Sequence, residues 1–208
     1  GFTLKNNGFI NITGDYLNKA KTYRPNFKTP NEDDPRRKAG DGAVENYSLF
    51  FNAGLPIKGN TNFYAFGGIG YRKGSAYAYT RSAGSSRNVP AIYPNGFDPL
   101  IGSQIGDKSV SFGIKTKFAG WNTDFNATLG SNRFEYGVSN TLNTSLGASS
   151  PTKFKAGGFQ LAQNMFAVHM NKSLKLLQGL NIAVGTEIRQ DQYKIFKGEI
   201  GSYKQYPN

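Results

Sequence analysis

The sequence contains no cysteine, a single histidine, a single tryptophan and two methionines among its 208 residues. Without cysteine there is no disulfide framework, no thiolate zinc site and no thiol catalysis. His169 alone cannot build a multi-histidine metal site. No apolar run approaches about 18 residues, so the sequence predicts no transmembrane helix.

Acidic residues are also scarce: 13 carboxylates face 25 basic side chains, which gives a formal net charge of +12. Such a balance attracts polyanions. No basic helix and no motif of stacking aromatics accompanies the charge, so we do not expect nucleic acid as a partner. The 26 glycines and the 14% of aromatic residues instead favour an all-β protein.

Alternation of apolar and polar residues is the dominant pattern. It is clearest from Val110 to Phe118, from Trp121 to Leu129 and from Leu180 to Ile188, and it recurs from Tyr47 to Leu55 and from Ile10 to Tyr16. We predict about seven strands. They cover about 8–18, 44–55, 61–80, 109–118, 121–136, 159–172 and 180–196.

The links between these strands alternate strictly in length. Three are short, and the other three are predicted as long loops at about 19–43, 81–108 and 139–158. In an antiparallel meander, every second link lies at the same end of the sheet. Tight turns at one end and long loops at the other are typical of outer-membrane β-barrels, whose spanning strands need about 9–11 residues.

The fold class predicted from this pattern is all-β, an antiparallel meander of about seven transmembrane strands. Seven strands cannot close a bacterial barrel, since the open edge would leave backbone groups unpaired in lipid. We therefore expect residues 1–208 to be part of a larger outer-membrane β-barrel. Gly1 to Gly8 would then be a periplasmic lead-in, and Lys197 to Asn208 would begin a fourth long loop.

Several segments resemble strands and loops of TonB-dependent outer-membrane receptors. The resemblance covers nearly the whole chain, and the order and spacing of the segments carry more weight than any one of them. They are Tyr64 to Gly68 with Tyr71-Arg72, Arg87 to Pro90 followed by Ile92 to Phe97, Gly120-Trp121 with Asp124-Phe125, Leu129-Gly130 with Asn132 to Phe134, Asn140 to Asn143 with Ser145 to Gly147, Phe154 to Phe159, and Asn181 to Arg189 with Tyr193.

This resemblance implies a central run of strands in a barrel of about 22 strands, without its plug domain. It further implies a receptor in the outer membrane of a Gram-negative bacterium that imports a scarce ligand such as a siderophore, cobalamin or an oligosaccharide. The implied partners are outer-membrane lipid and lipopolysaccharide, the remaining strands and plug of the same receptor, the TonB motor acting through that plug, and a surface lipoprotein. No cofactor is implied.

The candidate ligand-binding residues lie in and before the second long loop. Pro94-Asn95-Gly96 strongly predicts a turn. The aromatic rings around this turn could stack on a sugar or a flat chelate. Arg87 could hold an anion. An equal alternative is that these rings pack the loop onto the barrel rim. The candidates are Tyr77, Tyr79, Arg87, Tyr93, Asn95 and Phe97.

A second set of candidates is polar and faces the predicted lumen. Solvation of a polar wall is the simpler explanation for these residues, and contact with a plug or an anionic ligand is the alternative. They are Lys115, Lys117, Glu187, Arg189 and Asp191.

No metal site and no catalytic site is predicted. Asn31 to Asp34 brings three carboxylates together, but it lacks the spacing and the glycine of an EF-hand. The neighbouring basic residues Arg36, Arg37 and Lys38 could meet lipopolysaccharide phosphates. Because regular strands offer no catalytic pocket, we expect no enzyme. The alternatives to a receptor are a non-transporting outer-membrane barrel, as an anchor or a subunit of a secretion assembly, and a soluble β-sandwich that binds carbohydrate.

Overall fold

The computed structural model describes residues 1–24, 38–176 and 179–207. Its regular structure consists of strands and three short 3-10 segments, Lys5–Asn7, Thr144–Ser149 and Ile200–Ser202. The strands are β1 (Phe2–Thr3), β2 (Phe9–Lys19), β3 (Ala43–Lys58), β4 (Thr61–Tyr77), β5 (Leu100–Phe118), β6 (Trp121–Ser139), β7 (Lys153–Leu174) and β8 (Leu180–Phe196). Among the described residues, no helix is long and apolar enough to cross a membrane.

All strands belong to one open sheet in which each strand pairs antiparallel with the next one along the chain, in the order β1 to β8. The predicted all-β antiparallel meander is therefore confirmed. The eighth strand is the short β1, which pairs Phe2 with Ile10 in a region where a lead-in without strand structure was expected.

Two predicted strand boundaries are wrong by more than a few residues. β5 begins at Leu100 rather than near 109, and β7 begins at Lys153 rather than near 159. The extra residues include Gly102, Gly106 and Gly157, which interrupt the alternating pattern, yet ladder hydrogen bonds to the neighbouring strands hold them in the sheet. β4 ends at Tyr77 rather than near 80. The long links consequently cover 20–42, 78–99 and 140–152.

The tight turns follow from local backbone chemistry. Between β5 and β6 only Ala119 and Gly120 intervene, with φ of 51° and 78°. Positive φ at both central residues is the type I′ geometry, whose twist matches that of paired strands. Gly59, between β3 and β4, also has positive φ, at 61°. These turns fix the register of the hairpins above them.

One face of the sheet carries a largely apolar band. Its one charged member among the described residues is Lys172, at the tight-turn border, where its ammonium lies 5.9 Å from the centre of the Trp121 ring. Directly paired residues of an antiparallel sheet lie on the same face, so the register carries the band from strand to strand. We define the band by the residues that alternate on this face within 10–16, 47–55, 63–71, 110–118, 121–129, 166–174 and 180–188. The other surface of the sheet is called the opposite face below.

The apolar band is not sealed inside a core. Phe112, Phe125 and Val184 are 40%, 44% and 54% exposed. The chain has an accessible surface of 14652 Å², whereas a compact monomer of 22.7 kDa would expose about 9,500 Å². Among the described residues, no large side chain is completely buried. The sheet is therefore uncovered on both faces.

Candidate functional site

The long links fold into an ordered rim at one end of the sheet. In the link between β4 and β5, Arg81 and Phe97 form an antiparallel bridge with two backbone hydrogen bonds of 2.8 Å. The side-chain amide of Asn88 donates to the carbonyls of Ala83 and Tyr93, both at 3.0 Å. These bonds tie the link back on itself, and Phe97 is buried beneath it.

Asn143 joins the link after β6 to the segment after β8. Its Nδ2 donates to the carbonyls of Gly201 and Lys204, both at 2.9 Å, and its Oδ1 accepts from the Ser145 backbone at 3.1 Å. The backbone N–H of Tyr206 donates to Ser145 Oγ at 3.1 Å. Residues far apart in sequence therefore form one rim.

A cleft of about 570 Å³ opens between these rim segments, and we call it the rim cleft. Three cations line it: Arg81 is half-buried, and Arg87 and Lys204 are exposed. Among the described residues, no carboxylate lines this cleft, and none of the three cations forms an ion pair. The charged side chains in its lining are therefore all positive.

Uncharged polar groups and one exposed ring complete the rim cleft. Tyr203 is 59% exposed there, whereas Phe97 and Phe154 are buried in its floor. The uncharged polar side chains in the lining are Thr141, Asn143, Thr144, Ser145, Ser202 and Gln205.

A second cavity of about 660 Å³ adjoins the rim cleft and shares Thr144, Ser145 and Gln205 with it. Asn88 lines this second cavity and is only 8% exposed. Its Nδ2 makes both bonds described above, but its Oδ1 has no hydrogen-bond partner. This oxygen is buried with almost no accessible surface, and a buried acceptor without a partner is costly.

The opposite face carries a polar cluster near the tight turns. Tyr64 donates to both carboxylate oxygens of Asp124, at 2.9 and 3.2 Å, and Lys115 Nζ lies 5.0 Å from the centre of the Tyr64 ring. Lys115 and Asp124 are also direct partners across β5 and β6. Lys117 pairs in the same way with Asn122.

The candidates in β8 lie on the same opposite face. Arg189 and Asp191 form an ion pair at 3.3 Å, and Asp191 also accepts from Gln163 at 2.7 Å. Glu187 is exposed opposite Ala167. These side chains support one another across the sheet and line none of the rim cavities.

No known family, curated protein or solved structure matches this chain.

The rim brings together some of the loop residues predicted from sequence. Arg87 and Phe97 line the rim cleft. Tyr93 stacks on Phe97 with ring centroids 4.5 Å apart, and its hydroxyl donates to the Thr141 carbonyl at 3.4 Å. Burial raises the pKa of the Tyr93 phenol, an effect partly offset by a hydrogen bond with Thr152. Tyr93 therefore remains a neutral donor.

The other three loop candidates lie away from both cavities. Tyr77 ends β4 with Lys21 and Lys38 over its ring, at 5.1 and 5.4 Å. Tyr79 and Asn95 are exposed and line neither the rim cleft nor the second cavity. The predicted loop thus supplies both packing rings and cleft-lining residues.

Sequence reasoning missed Arg81, Asn143, Tyr203 and Lys204. Arg81 was assigned to the loop without a role, and Lys204 lies in a segment expected only to begin another loop. The signal that could have found Asn143 is its place before Thr144-Ser145, since Asn often caps a helical turn. The carboxylates at Asn31 to Asp34, and the neighbouring Arg36 and Arg37, lie outside the described residues. Within the described parts of the chain, no group of three or more acidic or histidine side chains could hold a metal ion.

Proposed function

We propose that this chain is part of the wall and outer rim of an outer-membrane β-barrel receptor that imports a scarce ligand. The observation that carries the proposal is the path of the apolar band. From β2 to β8 the band shifts along the strands relative to the rows of directly paired residues, so it runs diagonally across the sheet. A band that faces the hydrocarbon of a bilayer must take this path when the strands are tilted.

One row of directly paired residues makes the diagonal visible. The row begins with three tyrosines at the top of the band in β2 to β4 and continues through polar residues or glycine. Its members are Tyr16, Tyr47, Tyr71, Gly106, Arg133, Gln160 and Lys194. In β8 the band ends at Ile188, six residues below Lys194. The top of the band therefore falls six residues over six strand-to-strand steps.

The size of this displacement agrees with a barrel. One residue per step is about 3.3 Å along a strand for a spacing of about 4.8 Å, which corresponds to a tilt of about 35°. Strands of membrane barrels tilt by about 35–45°. The displacement accumulates at two places, between β4 and β5 and between β6 and β7, where the band falls by four and by two residues. A soluble sandwich requires no such displacement of its apolar surface.

The height of the band supports the same assignment. It spans nine residues in each of six strands, at 47–55, 63–71, 110–118, 121–129, 166–174 and 180–188. Tilted strands need about 9–11 residues to cross hydrocarbon. Aromatic residues lie at both borders, with the tyrosine row above and Phe118 with Trp121 below, as interfacial girdles do.

The sheet edges indicate that further strands complete the wall. β8 has 17 residues, and its far edge pairs with no described strand. In lipid such an edge must be closed by other strands. The ordered rim and its cleft, which three cations line, favour a receptor over a membrane anchor, because an anchor does not require a binding cleft.

Cysteine labelling in intact cells tests this placement. Ser86 is exposed in the rim, and Lys58 is exposed at the opposite, tight-turn end. The chain itself has no cysteine. A membrane-impermeant maleimide should label Ser86→Cys on intact cells but should reach Lys58→Cys only after the outer membrane is permeabilised. Equal labelling of both, or protection of both, on intact cells contradicts the proposal.

A further inference from the structure

We infer that the rim cleft binds a hydroxylated organic anion, of the sugar-acid or sugar-phosphate type. Arg81, Arg87 and Lys204 would hold the oxyanion, and polar side chains that line both the cleft and the adjoining cavity would bind its hydroxyls: Thr144, Ser145 and Gln205. This inference deepens the proposed function and rests on it for the role of the ligand as cargo.

The first observation behind this inference is the positive charge of the side chains that line the rim cleft. Arg81, Arg87 and Lys204 line one cleft, and no carboxylate among the described residues lines it. The Lys204 ammonium lies 5.0 Å from the centre of the Tyr206 ring. Arginine binds carboxylate and phosphate oxygens through two parallel N–H donors, and such charge-assisted bonds are the stronger class of hydrogen bond. An oxyanion would neutralise the pocket, whereas a cation or a purely apolar ligand would leave it unneutralised.

The second observation is the set of uncharged side chains that line the rim cleft. The exposed Tyr203 ring offers a face on which a sugar ring can lie, and hydroxyl and amide groups such as Thr144, Ser145 and Gln205 surround it. These groups both donate and accept, as a ligand rich in hydroxyls requires. The cleft volume of about 570 Å³ lies within the range of about 300–1,000 Å³ for small-molecule sites.

The third observation is the second cavity. It shares Thr144, Ser145 and Gln205 with the rim cleft. A ligand with its anionic group in the rim cleft can therefore extend into the second cavity and bond its hydroxyls to these side chains.

Calorimetric titration of the detergent-solubilised full chain tests the inference with three probes. Trigalacturonate carries carboxylates and hydroxyls, glucose 6-phosphate carries a phosphate and hydroxyls, and maltotriose is uncharged. We expect binding of one or both anionic probes, weakened by salt, and at least tenfold weaker binding of maltotriose. The anionic probe that binds shows whether the cleft takes a carboxylate or a phosphate group. Equal binding of maltotriose, or no binding of any probe, overturns the inference.

Variants locate the site. Arg81→Gln and Arg87→Gln should each weaken binding of the anionic probe by about tenfold, as expected for loss of a charge-assisted bond. Lys58→Gln removes the same charge at the other end of the sheet and should change nothing. Unchanged binding in both arginine variants contradicts the assignment.

The two proposals can fail separately. If Ser86→Cys and Lys58→Cys label as expected but no anion binds, the inference about the cleft is wrong and the membrane placement stands. If an anion binds in the arginine-dependent way but the labelling pattern is absent, the cleft assignment stands and the proposed function is wrong.

Discussion

At the scale of single residues, neighbouring positions on a strand experience different surroundings. Ile114 belongs to the apolar band, whereas the adjacent Lys115 lies on the opposite face over the Tyr64 ring. If the band meets hydrocarbon, a charge at Ile114 is placed in lipid and one at Lys115 is not. The alternation of side chains thus decides which substitutions the wall tolerates.

Ile114→Arg should destabilise the inserted protein by about 2–4 kcal/mol, the cost of an outward arginine near the middle of a bilayer. Lys115→Ala removes only a cation–π contact and should have a much smaller effect. The yield of heat-modifiable, folded protein in the outer-membrane fraction measures the difference. Comparable yields for the two variants would show that the faces are wrongly assigned.

Gly96 holds the rim loop in a backbone conformation that favours glycine. Its φ is +75°, and a Cβ there would collide with the Arg81 carbonyl, next to the bridge that closes the loop. Gly96→Ala should therefore loosen the loop and accelerate amide hydrogen exchange across 78–99. Gly84→Ala is the matched control, since a Cβ at Gly84 meets no atom within 4 Å. Identical exchange in the two variants would refute this role.

At the scale of elements, the β5–β6 hairpin is closed by a turn that departs from ideal chemistry. The β5–β6 turn uses Ala119 at φ 51°, a position where asparagine or glycine is favoured. A non-glycine residue in the left-handed region costs about 1–2 kcal/mol.

Ala119→Asn should stabilise the β5–β6 hairpin by up to about 1 kcal/mol, because it creates the Asn-Gly pair preferred in type I′ turns. The midpoint of urea-induced unfolding of the protein in lipid vesicles measures this change. A lower midpoint than that of the unchanged chain would contradict the turn assignment.

The sequence predicts the lower parts of β5 and β7 well and their upper parts poorly, whereas β8 is predicted over its full length. Around the apolar band, period-two alternation is clean, as from Val110 to Phe118. Above the band the signal weakens at Gly102 and Gly106, and the β6–β7 register shifts between Tyr136 and Gly137. There, hydrogen bonding to neighbouring strands determines strand structure, and no local pattern reports it.

The rim was predictable only in part for a related reason. Local chemistry identified the Pro94-Asn95-Gly96 turn and its aromatic neighbours. The cleft, however, depends on contacts between segments about 60 residues apart, such as Asn143 with Lys204. Neither segment alone contains a sequence pattern that predicts this contact.

At the scale of the whole molecule, the account rests on an open sheet whose two faces meet different surroundings. The accessible surface of 14652 Å², well above that of a compact monomer of this mass, indicates that other material covers the sheet. We propose lipid on the apolar band and a watery interior on the opposite face, with the rim cleft facing the exterior.

Quenching of single bimane-labelled cysteines by brominated lipid tests the central claim most directly. Ile69 and Gln192 lie in one register row, but only Ile69 belongs to the diagonal band; Ile188 belongs to the band, and Glu187 lies on the opposite face. The account predicts strong quenching at Ile69→Cys and Ile188→Cys and weak quenching at Gln192→Cys and Glu187→Cys. Equal quenching at Ile69 and Gln192, or stronger quenching at Glu187 than at Ile188, would contradict it.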